Sequence, residues 1–121
     1  MKSVLDTNFI INLIFEDQPF HKEAIESWKN IEKAYVPTVV VFELIYFLTK
    51  YKKIEWVYLF LSDEKVEYIE TKLEDIYFAL KNNPKSYDEF NDFIILHSAL
   101  RLKAKLETFD KELKERVRKL Q

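Results

Sequence analysis

The chain has no glycine and no cysteine, and only two histidines, three prolines and one methionine in 121 residues. Without cysteine there can be no disulfide, no thiolate metal site and no cysteine nucleophile. Without glycine there is no glycine-cradled phosphate loop. Two histidines cannot supply a zinc site built from three. A charge excess of one sign is missing too. The 19 Lys and Arg nearly offset the 21 Asp and Glu, for a net −2, which excludes a uniformly basic nucleic-acid coat but not a local patch. Long apolar runs are also absent. The most apolar stretch, residues 36–48, contains Pro37, Thr38 and Glu43 and is too short to span a bilayer. The N-terminal stretch is interrupted by Asp6, Asn8 and Asn12, unlike a signal peptide. The expectation is a soluble, cytoplasmic protein with no membrane partner. Its chemistry falls to carboxylates, hydroxyls, amides and basic side chains.

What is present suits a folded core: 48% of residues are hydrophobic and 16% aromatic, far from a disordered composition. The length fits one domain over residues 1–121. No linker or repeat divides it. Charge is uneven: residues 101–121 hold 8 basic and 4 acidic side chains, a local +4. Mixed charge on a solvated helix is the simple reading of that end; contact with a polyanion is the other. Four short segments read as strands: Ser3–Leu5, Ala34–Val36, Val66–Ile69 and Lys105–Thr108. Helical patterns lie between them, over Phe9–Phe15, His21–Ile31, Val39–Tyr51 and Ile54–Leu61. Thr38 is placed to cap the third of these. Two capping boxes, Thr71-x-x-Glu74 and Ser86-x-x-Glu89, open helices to about Asn82 and Leu102. A last helix carries Leu113, Val117 and Leu120 on one face. Strands alternating with helices imply crossovers and a parallel sheet, hence a three-layer α/β domain.

Carboxylates fall where such a fold binds ligands, beyond the carboxyl ends of its strands. Asp6 directly follows the first strand and Asp110 follows the last. Each is also a good helix N-cap. Glu43 is the only ionisable residue in the run Val39–Leu48. That helix reads as apolar all round and therefore buried, so Glu43 needs a cation, a proton or a salt-bridge partner. Asp92 lies beyond the first turn of its helix and cannot cap it. Asp88, one turn earlier on the same face, has a plain role beside the helix dipole. Acids from four separate segments, with no basic partners between them, suit a hard divalent cation with oxygen ligands, Mg²⁺ or Mn²⁺. Such an ion activates water and stabilises charge in phosphodiester cleavage.

The stretches Val4-Leu5-Asp6-Thr7-Asn8, Pro37-Thr38-Val39-Val40-Val41-Phe42-Glu43-Leu44, Asn91-Asp92-Phe93-Ile94-Ile95 and Glu107-Thr108-Phe109-Asp110 together resemble the PIN domain. Within it they resemble the VapC type, the toxin half of toxin–antitoxin pairs. The resemblance covers the whole chain in order. It implies an α/β/α domain with a short central parallel sheet of four to five strands. It also implies a metal-dependent endoribonuclease with Asp6, Glu43, Asp92 and Asp110 as catalytic and metal-holding acids. Asn8 and Thr108 resemble the family's supporting polar positions. The implied partners are an RNA substrate and an antitoxin protein. Two departures stand out: Phe93, Ile94 and Ile95 are bulky where the family often has small residues, and residues 101–106 lack the glycine often found before the fourth motif.

Other readings were weighed on the same residues. A phosphorelay receiver domain also gathers acids around Mg²⁺, but it would leave Glu43 without a task and needs Asp where Glu70 stands. A catalytically silent PIN scaffold would not need four acids. A haloacid-dehalogenase-type phosphatase would want Asp at position 8, where the chain has Asn8. His97 and His21 read as structural and surface residues. Trp28, Trp56, Tyr46, Tyr51 and Tyr58 read as core or dimer contacts. The aromatic excess of residues 39–51 and 54–61 predicts a homodimer.

Overall fold

The structure, a computed structural model, describes residues 1–120. Eleven elements follow in the order β1 (Lys2–Leu5), α1 (Thr7–Ile14), α2 (His21–Asn30), β2 (Lys33–Pro37), α3 (Thr38–Lys50), α4 (Glu55–Leu61), β3 (Val66–Ile69), α5 (Leu73–Lys81), α6 (Tyr87–Leu102), β4 (Lys105–Glu107) and α7 (Lys111–Leu120). The four strands form one parallel sheet in the order β3-β2-β1-β4. The four- to five-strand expectation resolves to four, flanked by seven helices in a three-layer arrangement.

The chain fills the sheet outward from β1 to β3, then returns to place β4 on the other side of β1. The reversal between β1 and β4 is the point at which open α/β sheets form a crevice at their carboxyl ends. Val4, Leu5, Ala34 and Val36 are fully buried, as near-continuous apolar strands of a covered parallel sheet should be. Phe9, Ile10, Leu44, Leu48, Ile95 and Leu96 close the core from the helices.

Four local expectations are corrected. Helix α5 opens one residue later than the Thr71-x-x-Glu74 box proposed. Lys72 is its N-cap, and its N–H donates to Asp75 Oδ2 at 2.8 Å. Thr71 is held elsewhere, its N–H donating to Thr38 Oγ1 at 3.1 Å. Thr38 is therefore no cap; it is the first residue of α3, and its hydroxyl also meets the Tyr68 hydroxyl at 2.7 Å. Helix α3 is not buried all round: Phe42 and Tyr46 are 66% and 74% exposed. Its other face, Val40, Val41, Leu44 and Leu48, carries the core. On α7, Leu113 and Val117 are buried as expected, whereas Leu120 is exposed. In a chain without glycine, left-handed backbone falls to Lys52, Asn83 and Lys103, with φ of 57°, 51° and 53°. Lys103 ends α6, in the segment where the sequence comparison looked for a glycine.

Candidate active site

Asp6 stands at the end of β1 and is buried. One carboxylate oxygen accepts the Thr7 N–H at 2.8 Å and so caps α1. The other accepts the Thr108 hydroxyl at 2.6 Å. Burial pushes the Asp6 pKa up, because desolvation disfavours the charged form. The bonds from Thr108 and Thr7 offset part of this, and the charge of Asp110 adds to it. Thr108 ties the two strand ends together. A hydroxyl has one proton to donate, and it goes to Asp6, while Thr108 Oγ1 accepts the Asp110 N–H at 3.0 Å. Asn8 adds a second tie, its Oδ1 accepting the Phe109 N–H at 3.0 Å. Asp110 caps α7 through the Leu113 N–H at 3.1 Å. The capping reading of Asp6 and Asp110 therefore holds alongside any site role.

Glu43 arrives from the second turn of α3 and is half-buried. Its Oε1 accepts the Thr7 hydroxyl at 2.6 Å and its Oε2 the Asn91 amide at 3.4 Å. Among the described residues, no Lys or Arg pairs with it. Burial raises its pKa, the Thr7 bond lowers it, and the charge of Asp6 raises it again; Asn91 and Asp88 make smaller contributions. Asp92, on α6, is half-buried, and its pKa is pushed up to about 7, first by burial and then by the charges of Asp6, Asp110 and Glu43. Arg116 opposes this. Its guanidinium lies 4.7 Å from the centre of the Phe93 ring and pairs with Glu89 and Glu112 at 3.2 and 2.9 Å. Asp88 is exposed at the rim, in the first turn of α6.

The fold thus brings four acids from β1, α3, α6 and the β4 exit into electrostatic contact. Among the described residues, no three acidic or His side chains already stand as a metal cage. In this arrangement Asp6 and Glu43 spend their oxygens on hydroxyl, amide and backbone donors. The donor set, all oxygen and short of positive charge, nonetheless fits a hard divalent cation. Sequence reasoning gave no role to Thr7, Asn91 or Arg116. Thr7 and Asn91 lie inside the stretches that carried the resemblance, each adjacent to an acid. Nothing in the sequence linked Arg116 to Asp92. His97 proves structural, as expected: its Nδ1 is 2.6 Å from Asp75 Oδ1. His21, expected at the surface, is half-buried, its Nδ1 2.8 Å from the Asn12 carbonyl.

Residues 3–119 match the family model of the PIN domain. The chain belongs to the PIN domain family. No curated protein matches it significantly by sequence. Among solved structures, this PIN domain is similar in fold to VapC20 of Mycobacterium tuberculosis, described as a sarcin–ricin loop cleaving toxin. The TM-score is 0.79 at 13% identity, covering 93% of each chain. It is also similar to a toxin–antitoxin complex from Klebsiella pneumoniae, with a TM-score of 0.68 at 24% identity, covering 89% of this chain and 86% of that one. VapBC2 of Rickettsia felis, bound to a DNA fragment from its promoter, gives 0.67 at 23% identity over 95% and 92%. The receiver and phosphatase readings end with this membership. Among the described residues, no helix of the domain is long and apolar enough to cross a membrane.

Proposed function

We propose that this PIN domain is a divalent-cation-dependent endoribonuclease and the toxin of a toxin–antitoxin pair. The observation that carries the reading is the convergence of Asp6, Glu43, Asp92 and Asp110, close enough that the charges of Asp6, Asp110 and Glu43 add to burial in pushing the Asp92 pKa up to about 7. Mutual repulsion of that kind disfavours the native state unless a cation offsets it. The solved structures of similar fold, among them a toxin described as cleaving RNA of the sarcin–ricin loop, support the toxin assignment.

In this proposal Asp6, Glu43 and Asp92 hold Mg²⁺ or Mn²⁺, and Asp110 adds charge at the open side. The bound ion supplies water activation and charge stabilisation for phosphodiester hydrolysis. The rest falls to the chain. Thr108 and the Thr7 N–H fix both oxygens of Asp6. The Thr7 hydroxyl and Asn91 orient Glu43 from two sides. Asn8 and Thr108 hold Asp110 at its distance from β1. Asp88 sits where it repels Glu43 and places negative charge at the mouth. A cleft of about 770 Å³ opens beside Glu43, lined largely by apolar groups such as Phe42, Tyr46 and Phe47. The exposed aromatics of α3 and α4 are assigned to a homodimer contact, and the protein to the cytoplasm.

Purified protein incubated with single-stranded and structured RNA should cut with Mn²⁺ or Mg²⁺ and not with excess EDTA. Asp6→Asn, Glu43→Gln and Asp92→Asn should each lower the rate by at least ~100-fold, as each removes charge from the cation. Asp110→Asn should be milder. Equal cleavage in EDTA would refute the reading. No cleavage under any ion, with RNA still bound, would favour the silent scaffold.

A further inference from the structure

A second cleft, of about 550 Å³, lies between α2, β4 and α7, with Thr108 in its lining. Its wall is an aromatic stack. Phe9, Phe109 and Phe20 lie nearly parallel, with ring centres 5.6 and 4.8 Å apart and planes within 16° and 10°. Phe9 is fully buried at the base, while Phe20 at the end is 42% exposed. Phe20 is fixed from behind, its N–H donating to Oδ1 of the buried Asn12 at 2.9 Å. A flat ring placed on Phe20 would continue the stack. Lys105, Lys114 and Arg118 line the same cleft, within the segment that carries the local positive charge. Lys114 Nζ already stands 5.7 Å from the Phe109 ring centre.

Glu107 is the unexpected member. It lines the cleft and is only 7% exposed. Its Oε1 is buried and accepts no hydrogen bond. The ammonium of Lys105 is 3.1 Å away, in ion-pair range without hydrogen-bond alignment. Lys105, whose side chain is 58% exposed, is the cation that offsets this buried oxygen, and no aligned donor occupies it. Neither the acid cluster nor any helix cap uses it.

We propose that this cleft is a nucleobase subsite of the substrate RNA and that it selects guanine. The base stacks on Phe20. Glu107 accepts the paired N1–H and N2–H donors of guanine's Watson–Crick edge, which adenine and uracil do not present together. Lys105 swings from Glu107 to a phosphate, joining Lys114 and Arg118. Single-stranded RNA is read in this way, by aromatic stacking and by hydrogen bonds to exposed base edges. Thr108 and Asp110 follow Glu107 in the chain, so the subsite is joined to the acid cluster through β4 and its exit. The inference rests on the ribonuclease reading for its substrate class, but its test needs no cleavage.

The test is binding of fluorescent oligouridylates carrying one guanosine, inosine or adenosine, measured by anisotropy in EDTA. Guanosine should bind best and inosine, which lacks the 2-amino group, less well. Adenosine should bind about 5- to 150-fold more weakly than guanosine. Phe20→Ala should weaken all three by about 5- to 150-fold. Glu107→Gln should erase the preference. The exposed pair Lys114→Gln and Arg118→Gln, which leave the core untouched, should flatten the salt dependence of binding. Thermal melting confirms that each variant folds. Equal affinity for the three oligomers, or a guanosine preference that survives Glu107→Gln, would overturn the proposal. So would protection of the β4 edge by a peptide rather than by RNA. Guanosine-selective binding without cleavage in Mn²⁺ would refute the nuclease and keep the subsite. Cleavage without selectivity would do the reverse.

Discussion

Asp6 caps α1 with one oxygen and receives Thr108 on the other. A single carboxylate thus starts a helix and anchors the acid cluster, and the two readings of such a residue in sequence need not compete. Asp92 has no such second task. Its pKa of about 7 in the folded protein compares with about 3.9 in an unfolded chain. Between those values the native state holds a proton that the unfolded state has lost. Stability without metal therefore falls as pH rises through this window, and the contribution of Asp92 is fully present only below about pH 4. At about 1.4 kcal/mol per tenfold change in proton affinity, reduced by solvent screening because Asp92 is only half-buried, the effect is on the order of 1–2 kcal/mol. Asp6 and Glu43, both raised, act in the same direction. Urea unfolding in EDTA at pH 5 and pH 8 should show wild type losing stability at the higher pH. Asp92→Asn should be more stable than wild type at pH 8 and lose less between the two. An identical pH response in the two proteins would place Asp92 outside the repulsive cluster.

Helices α5 and α6 are joined by a different device. Asp75 is fully buried, and Arg101 grips it at 3.2 and 3.0 Å through Nε and Nη2, with His97 at 2.6 Å. Burial alone would raise the Asp75 pKa; the bonds from Arg101, the Lys72 N–H and His97 outweigh it and hold the carboxyl below its ordinary value. The sign is opposite to that of Asp92: this contribution is present above about pH 4 and lost as the solution is acidified through the lowered pKa. Asp75→Ala should destabilise the fold by about 3–5 kcal/mol, since it strands an Arg101 side chain that is only 17% exposed. Asp75→Asn should cost less and shift the acid-unfolding midpoint. A change below about 1 kcal/mol for Asp75→Ala, read by denaturant unfolding, would remove the pair from the fold's main supports. No local pattern signals this pairing, because it joins residues 26 apart on two helices. The misplaced start of α5 has the same origin. Local capping preference favoured Thr71, but its backbone N–H is held by Thr38 and its buried hydroxyl finds no partner and caps nothing. The Ser86 cap was legible because its bond is local, Ser86 Oγ accepting the Glu89 N–H at 3.0 Å. The strands were legible for a similar reason, and so were the places of Asp6 and Asp110: apolar runs and strand exits are properties of neighbouring residues. The Thr7–Glu43 and Arg116–Asp92 relations span the fold and were not.

For the molecule as a whole, the apolarity of α3 misled because half of it faces outward. Phe42, Tyr46 and, on α4, Tyr58 at 77% exposure leave a face that a second copy would cover. Sedimentation at tens of micromolar should give a dimer, and Tyr46→Glu with Tyr58→Glu should give a folded monomer. A wild-type monomer under those conditions would refute the contact. The sheet order carries a consequence in time. Strand β1 is made first and sits at the centre, but its partner β4 comes from the other end of the chain. Thr108 meets Asp6 across 102 residues. At about 5–20 residues per second, a ribosome needs roughly 5–20 s to make that interval. Throughout it Asp6 has neither Thr108 nor Asp110 beside it. A nascent chain therefore carries an incomplete acid cluster while it is still tethered, and any activity that needs the whole cluster begins only after the β4 exit has cleared the machine that made it.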